Sequence, residues 1–339
     1  MSESRLINMH HRRAGLDGLE IENDHLRLTL FPAAGAKILN LVHKATGFDL
    51  LWQNPRVPLR QTHLGQTFDD VWCGGWDELF PTDPPCELDG TAFHDHGDLW
   101  YGSWDFTVER DDGSEATLYL RRCAVALPCL MEKWITVRRG DPSIEFRHRL
   151  TNLGIQRAPF AWNLHLAHRI SAASRIHLPA DAVAAVPQQA GRFGETPARV
   201  GWPDHHGIDM GAVVAVESGL TEWLYALRLR EGWCAVTHPD VGVGLGLAFE
   251  TSVFSTVWLW GVYGGWRGHY VLLTEPSTSP PGGLAANVAG DTAVWIGPGE
   301  VLETHVTATV LTVTSSYAAD ERPEGLQILG VAGRPPRRR

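Results

Sequence analysis

The sequence predicts an all-β protein that folds as one large antiparallel β-sandwich. Short runs in which apolar and polar residues alternate recur along the 339-residue chain, bounded by Gly, Pro, Asn or Asp. Such a period of two indicates strands, because successive side chains of a strand point to opposite faces. Helical periodicity is scarce, and no repeat of propeller-blade length is present, which favours a sandwich over a propeller.

The alternating runs are spread from one end of the chain to the other. The clearest are Leu26–Leu30, Thr117–Arg121, Ser143–Leu150 and Val301–Val310. The best helical candidates, Asp181–Val186 and Pro323–Leu329, are no longer than a turn or two. The stretch Pro276–Gly283 is rich in Ser, Thr, Pro and Gly and is predicted to be a rigid loop.

One domain is predicted over residues 20–315, with terminal extensions at 1–19 and 316–339. Hydrophobic residues make up 44% of the chain and charged residues 20%, which is enough apolar material for a large core. No composition shift in the middle of the chain suggests a linker. Large all-β sandwiches often exceed two hundred residues as a single unit.

Composition also limits the partners and the compartment. The net charge of −10 disfavours nucleic acid and anionic membranes. We find no signal peptide and no apolar run long enough to span a bilayer. Five cysteines without metal-type spacing argue against a disulfide framework, so a cytoplasmic protein is expected. Fourteen tryptophans are unusual; most could be core, but tryptophan is also a favoured platform for sugar rings.

A candidate functional strand runs from Phe160 to His168. In an extended segment the side chains alternate between two faces. One face carries Phe160, Trp162, Leu164, Leu166 and His168, and the other carries Ala161, Asn163, His165 and Ala167. The second face surrounds one histidine and one amide with small residues, which leaves room for a ligand. The alternative is that His165 is an ordinary core or surface histidine.

A second candidate segment contains the pair His94 and His96, followed by Gly97. The two histidines share a face if the segment is extended, and Gly97 permits a close backbone approach. Such a pair is also a weak metal signal. No other spacing of His, Cys, Asp or Glu completes a metal site, so neither a metal nor another cofactor is expected.

Two further segments carry acidic groups. Glu275 ends an apolar strand and is followed at once by a proline, a position that suits a held, accessible general base. The alternative is a surface glutamate. Trp76, Asp77 and Glu78 follow two glycines and could form a sugar-binding loop or a packed turn. Arg267 could contact an anionic group, although a surface arginine fits the pattern as well.

Together these segments resemble the galactose mutarotase-like (aldose 1-epimerase) superfamily, over roughly residues 20 to 313. The motifs occur in the family's order: Gly74-Gly75-Trp76-Asp77-Glu78-Leu79-Phe80-Pro81, His96-Gly97, Thr151-Asn152-Leu153-Gly154, Pro159-Phe160, His165, Glu275-Pro276 and Gly297-Pro298-Gly299-Glu300. The chain resembles a divergent member, because Trp76-Asp77-Glu78 replaces an arginine-containing segment and Asp98 follows Gly97 where a second glycine is usual.

The resemblance implies a supersandwich fold and roles for three residues. His165 resembles the general acid that protonates the ring oxygen, and Glu275 the general base that takes the proton of the anomeric hydroxyl. His96 resembles the second histidine, which orients the sugar. The expected activity is therefore an isomerase that interconverts the anomers of a free sugar without a cofactor. The altered sugar-recognition segments mean that galactose itself is not implied.

Two other functions stay open at this point. The same acid and base could serve a lyase or hydrolase that acts on a glycoside or modified sugar. The tryptophans could instead belong to a non-catalytic carbohydrate-binding module. In each case the expected partner is a monosaccharide or related carbohydrate, and the protein is expected to be a monomer or homodimer.

Overall fold

The computed structural model describes residues 5–193, 199–314 and 316–329. Twenty-six strands and two short α-helices, α1 (Phe68–Val71) and α2 (Leu284–Ala289), form in these ranges. The first thirteen strands are β1 Ile7–Arg13, β2 Leu16–Glu22, β3 Leu26–Phe31, β4 Lys37–His43, β5 Phe48–Asp49, β6 Trp76–Leu79, β7 Cys86–Leu88, β8 Thr91–Phe93, β9 Asp105–Asp111, β10 Glu115–Cys123, β11 Cys129–Arg138, β12 Ser143–Asn152 and β13 Ala158–Phe160.

The remaining strands continue from the middle of the chain to residue 312. They are β14 Asn163–His168, β15 Arg175–His177, β16 Ala182–Ala190, β17 Val200–Gly201, β18 Asp204–His205, β19 Ile208–Asp209, β20 Leu220–Ala226, β21 Trp233–His238, β22 Val243–Phe249, β23 Thr256–Tyr263, β24 Tyr270–Ser277, β25 Val294–Ile296 and β26 Val301–Thr312.

Two large antiparallel sheets contain most of these strands. Sheet A has twelve strands in the order β1-β2-β3-β4-β6-β14-β24-β23-β20-β16-β17, with β5 beside β4. Sheet B has eight strands in the order β15-β21-β22-β26-β12-β11-β10-β9. Three two-stranded ribbons, β7–β8, β13–β25 and β18–β19, decorate them. The predicted antiparallel sandwich is therefore confirmed.

The core lies between the two sheets and follows the alternation in the sequence. Along β12, Ile144, Phe146, His148 and Leu150 are buried, while Glu145, Arg147 and Arg149 between them are exposed or partly exposed. The rings of Trp76 in sheet A and Phe146 in sheet B lie 4.8 Å apart, which shows the sheets in direct contact. All four alternating runs singled out in the sequence lie within strands, β3, β10, β12 and β26.

The helical predictions differ from the structure. Residues Asp181–Val186 lie mostly in strand β16, where Val183 and Ala184 pair with residues of β20, and no helix forms over Pro323–Leu329. The short apolar run in β16 fits a helix turn and a buried strand equally well, and the neighbouring strand decides between them. In the described ranges, no helix is long and apolar enough to cross a membrane.

Both predicted terminal extensions contact the sandwich where they are described. Strand β1 pairs with β2 at the edge of sheet A. The backbone N–H of Leu6 donates a hydrogen bond of 2.9 Å to the carboxylate of Asp111. Near the other end, Leu326 is buried in a cluster with Trp233 and Ala248 of sheet B. Residues outside 20–315 therefore pair with the edge of sheet A and pack on a face of sheet B.

Candidate active site

Three central strands of sheet A, β6, β14 and β24, carry a row of ionisable side chains. Asp77 of β6 stands opposite His165 of β14. In the β14–β24 ladder, Asn163 pairs with Ser277. Two residues further along these antiparallel strands, His165 stands opposite Glu275. Directly opposed residues project to the same face with Cβ atoms about 5 Å apart. The register alone therefore makes His165 and Glu275 neighbours.

A cavity of about 470 Å³ lies over this row. His96, His165 and Glu275, the three residues predicted to act on a sugar, all line it, so the structure brings them together. The complete lining consists of Phe68, Asp69, Trp72, Asp83, Pro84, Pro85, Asp95, His96, His165, Gln189, Thr221, Trp223, Trp260, Gly265, Trp266 and Glu275.

His165 sits on the floor of the cavity between aromatic rings. Its ring meets Phe68 and Trp72 edge-on, each at 5.3 Å between centroids, and His96 at 5.9 Å. Burial lowers the pKa of His165 well below 6.5, and the positive charges of His96 and Lys37 add to the effect. Its Nδ1 has no hydrogen-bond partner among the described residues. The imidazole is therefore held neutral.

Glu275 is also buried, and its shift has the opposite direction. Burial raises the pKa of its carboxyl group well above 4.5, and the negative charge of Asp83 raises it further. The two opposite shifts therefore favour a protonated Glu275 beside a neutral His165. Such a pair holds one transferable proton, with a donor and an acceptor side by side.

His96 is the cationic member of the site. Its ring stacks on Phe68 at 4.0 Å, its Nδ1 lies 2.7 Å from the carboxylate of Asp95, and its Nε2 lies 3.5 Å from that of Asp83. Burial alone would lower the pKa of His96. The charges of Asp83, Asp95 and Asp69 outweigh burial and raise it. The surroundings of His96 therefore favour its protonated, cationic form.

A tight turn sets the position of His96. The residue has a left-handed backbone, with φ 58°, and Gly97 after it has φ 72°. A Cβ on Gly97 would lie 2.1 Å from the carbonyl oxygen of Phe80, so only glycine fits there. The N–H of Gly97 bonds to the carbonyl oxygen of His94, but His94 is not among the cavity-lining residues. The predicted sugar contact of His94 is therefore not supported by its position.

Two other predicted sugar-binding residues face the core. Trp76 packs against Phe146 of sheet B. Glu78 accepts hydrogen bonds from Lys133 Nζ at 2.7 Å and His148 Nε2 at 3.1 Å, both from sheet B. Neither side chain lines the cavity. The reason is the alternation along β6, which turns both residues away from the face that carries His165.

Asp77 and Asn163 lie on the cavity side but beneath its lining. Asp77 forms a buried ion pair with Lys37, whose Nζ also donates to the carbonyl oxygen of Gly74 at 3.0 Å. Asn163 accepts a hydrogen bond of 2.5 Å from the hydroxyl of Ser277. These contacts support the floor. Neither residue is among those that line the cavity.

Arg267 lies outside the cavity and connects helix α1 with Trp266, both of which contribute to the cavity lining. Its guanidinium donates to the carbonyl oxygen of Asp69 and to the carboxylate of Asp70, both at 2.8 Å, and it lies 4.8 Å from the ring centre of Trp266. The predicted anion contact is therefore replaced by internal pairs. No lysine or arginine lines the cavity in the described part of the chain.

Several cavity residues were missed by the sequence analysis. Asp69 lies in the four-residue helix α1, and Asp83 and Asp95 lie in loops, so periodicity carries no information about any of the three. Trp223 and Trp260 are cross-strand partners on β20 and β23. The abundance of tryptophan indicated a sugar platform, but nothing in the sequence alone distinguished these two from the tryptophans of the core.

The donor set does not indicate a metal centre. Within residues 5–193, 199–314 and 316–329, no group of three or more His, Cys, Asp or Glu side chains is arranged to hold a metal ion. His168, three residues after His165, bonds to the hydroxyl of Thr274 at 2.8 Å rather than to a cavity residue.

Comparison with known proteins shows the fold. No family model matches the chain, and no curated protein matches it by sequence. Among solved structures it is similar to a galactose mutarotase-like protein from Clostridium acetobutylicum, with a TM-score of 0.67 and 12% identity, over 91% of this chain and 98% of that one. The Slr1438 protein of Synechocystis sp. PCC 6803 gives a TM-score of 0.65 and 20% identity, over 90% and 98% of the two chains.

A third similar structure is a galactose mutarotase related enzyme from Lactobacillus acidophilus, with a TM-score of 0.59 and 13% identity, over 88% of this chain and 99% of that one. The three structures cover nearly the whole of both chains at low identity. The molecule thus has the fold of galactose mutarotase-like proteins, as a divergent example of it.

Proposed function

Starting from this galactose mutarotase-like fold, we propose that the protein is an aldose 1-epimerase-like isomerase, which interconverts the anomers of a free sugar. The observation that carries the proposal is the pair of His165 and Glu275. They stand opposite each other on adjacent central strands, face one cavity, and have pKa values shifted in opposite directions. The same pair was expected from the family resemblance.

The reaction needs one proton delivered and one removed. When a cyclic sugar opens, the bond between C1 and the ring oxygen breaks, the ring oxygen gains a proton, and the anomeric hydroxyl loses one to become a carbonyl oxygen. Rotation about C1–C2 and reclosure reverse both transfers. An acid and a base on adjacent strands supply this chemistry without a metal or nucleotide.

The opposite pKa shifts of the pair give the direction of transfer. The raised pKa of Glu275 makes it the donor to one sugar oxygen, while His165, with its lowered pKa, accepts from the other. Closure returns both protons and restores the starting state. The family resemblance instead implies that His165 is the donor. The two assignments differ only in whether His165 or Glu275 holds the shared proton before the reaction. His96 adds a positive charge beside the reacting oxygens, where partial negative charge develops.

The charge of the cavity favours a neutral substrate. Asp69, Asp83, Asp95 and Glu275 line it without a lysine or arginine among the described residues. A phosphate or carboxylate on the sugar would meet these acids with no cation besides His96. We therefore propose a neutral aldose as the substrate class.

The test is the rate of anomer exchange, followed by polarimetry or NMR on freshly dissolved α-D-glucose and α-D-galactose. His165→Ala and Glu275→Gln should each lower kcat/KM by about 10²–10⁴-fold, the contribution usual for a positioned acid or base. His305→Ala and Glu303→Gln, exposed on sheet B, are matched controls that should keep the rate. Unchanged exchange in both cavity variants would overturn the proposal.

A glycoside hydrolase is the second candidate. The observation that favours it is the presence of two carboxyl groups, Asp83 and Glu275, in one cavity, where the charge of Asp83 raises the pKa of Glu275. Hydrolases of glycosides commonly use such a pair. Release of nitrophenol from nitrophenyl glycosides, lost in Asp83→Asn, would favour this function over epimerisation.

A further inference from the structure

The cavity extends well beyond the proposed acid and base. His165 lies on β14, Trp260 on β23, Trp223 on β20 and Gln189 on β16, and all four line the same cavity. Three strand spacings separate β14 from β20 in sheet A, a distance of about 14 Å at the usual spacing of neighbouring strands. One pyranose ring spans less than two spacings. A sugar held at His165 therefore leaves the far half of the cavity open.

Tryptophan side chains form this far half. Trp223 and Trp260 are directly paired across β20 and β23, and both are only partly buried. The rings of Trp260 and Trp266 lie 5.1 Å apart at an angle of 59°. The Nε1 of Trp260 donates to Gln189 Oε1 at 3.0 Å, which fixes its ring against the cavity. Large aromatic faces left open toward a cavity are suited to cover the C–H face of a ligand.

Polar atoms beside these rings identify the kind of ligand. The Nε1 of Trp223 and the hydroxyl of Thr221 are buried and have no hydrogen-bond partner among the described residues. The two residues are separated by one position on β20, so their side chains share the cavity face. An apolar or aryl ligand would leave both groups unpaired, at a free-energy cost. A ligand with hydroxyl groups around an apolar face would satisfy both.

We propose that the tryptophan half of the cavity binds a second pyranose ring, so that the substrate is the reducing end of a neutral disaccharide or longer oligosaccharide. This inference rests on the proposed function, because it places the anomeric carbon of the reducing ring at His165 and Glu275. The non-reducing ring then lies on Trp260 and Trp266, with its hydroxyls toward Thr221 and Trp223.

The test compares glucose with cellobiose, maltose and lactose, which all have glucose as the reducing ring. We expect kcat/KM for anomer exchange to be about tenfold higher for at least one disaccharide than for glucose, as expected when one aromatic contact is added. Trp266→Ala and Thr221→Val should each lower the ratio of disaccharide to glucose activity about tenfold, mainly through KM. Trp295→Ala, outside the cavity, should keep the ratio.

The outcomes separate this inference from the proposed function. If glucose exchange is accelerated but neither cavity variant changes the ratio, the second-ring site is overturned and the isomerase stands. If the anomers of no sugar are exchanged, the proposed isomerase activity is wrong. The second-ring site would still be supported if methyl cellobioside binds more tightly than methyl glucoside, measured by quenching of tryptophan fluorescence, and if Thr221→Val reverses this preference. Tighter binding of phenyl glucoside than of methyl cellobioside would indicate an aromatic ligand and overturn it.

Discussion

Glu78 and Glu275 are two buried glutamates on opposite faces of the same sheet, and their protonation differs. Glu78 faces sheet B between Lys133 and His148. Burial would raise the pKa of its carboxyl group, but these two partners outweigh burial and lower it. Glu275 faces the cavity, where burial and the negative charge of Asp83 raise its pKa.

The difference shows that burial alone does not decide the charge of a group. An ionised carboxylate in the interior needs cationic partners, and without them it takes up a proton. The first arrangement joins the two sheets. The second leaves a group able to give up a proton within a cavity, which is the property that a catalytic acid requires.

The largest expected effect concerns the partner of Glu78. Lys133→Met leaves this carboxylate without its closest cation and should lower the free energy of unfolding by about 3–5 kcal/mol, measured by urea denaturation. The control Lys44→Met breaks a half-exposed pair with Glu22 and should cost less than about 1 kcal/mol. Equal losses in the two variants would mean that Glu78 does not depend on Lys133.

A smaller effect, on the pKa values of His96 and Glu275, is expected when the carboxylate of Asp83 is removed. Asp83→Asn takes away a charge that raises both pKa values, so both should fall by about one pH unit. NMR titration of the His96 ring and of the Glu275 carboxyl carbon measures them. Asp69→Asn should lower the pKa of His96 only; an unchanged Glu275 in the Asp83 variant would contradict the coupling.

The next effect is a gain in stability. Because the folded-state pKa of Glu275 lies above 4.5, its contribution to stability is fully present below pH 4.5 and is lost as the pH rises toward that folded-state value. Glu275→Gln has no proton to lose, so at pH 8 it should be more stable than the natural chain by about 1 kcal/mol. Thermal unfolding at pH 4 and pH 8 checks this, and a gain that does not shrink at pH 4 would contradict the assignment.

The smallest expected effect is the response of the exchange rate to pH. With the shared proton on Glu275 and His165 already neutral, raising the pH through 6.5 titrates neither group of the pair. The rate should therefore change less than about twofold as the pH crosses 6.5, and decline only as the pH passes the raised pKa of Glu275. A tenfold fall per pH unit starting at 6.5 would place the proton on His165 instead.

The fold and part of the site followed from local patterns. Alternation predicted strands such as β12, and the face assignment of the segment from Phe160 to His168 placed His165 on the side that lines the cavity. Trp76 and Glu78 were placed in the site because they belong to a motif. In a strand, Trp76 and Glu78 must point to the face opposite Asp77. This alternation indicates that they face the core, whereas the motif gives no indication of the direction of a side chain.

Other features depend on contacts that no local pattern contains. Asp83 and Asp95 reach His96 from loops, and the loop conformations are set by neighbours such as the carbonyl of Phe80 behind Gly97. Residues 183–185 form a strand because β20 pairs with them. Which tryptophans line the cavity follows from the strand order of sheet A, and that order joins residues far apart in the chain.

The pairing of β14 with β24 has a consequence for how the protein folds. Asn163 and Ser277, which bond across it, are separated by 114 positions, so the pair of His165 and Glu275 cannot exist until most of the polypeptide has been synthesised and this distant closure is complete. Contacts so remote in sequence form slowly. Recovered turnover after dilution from denaturant would therefore report the last assembly step, later than the return of far-ultraviolet circular dichroism.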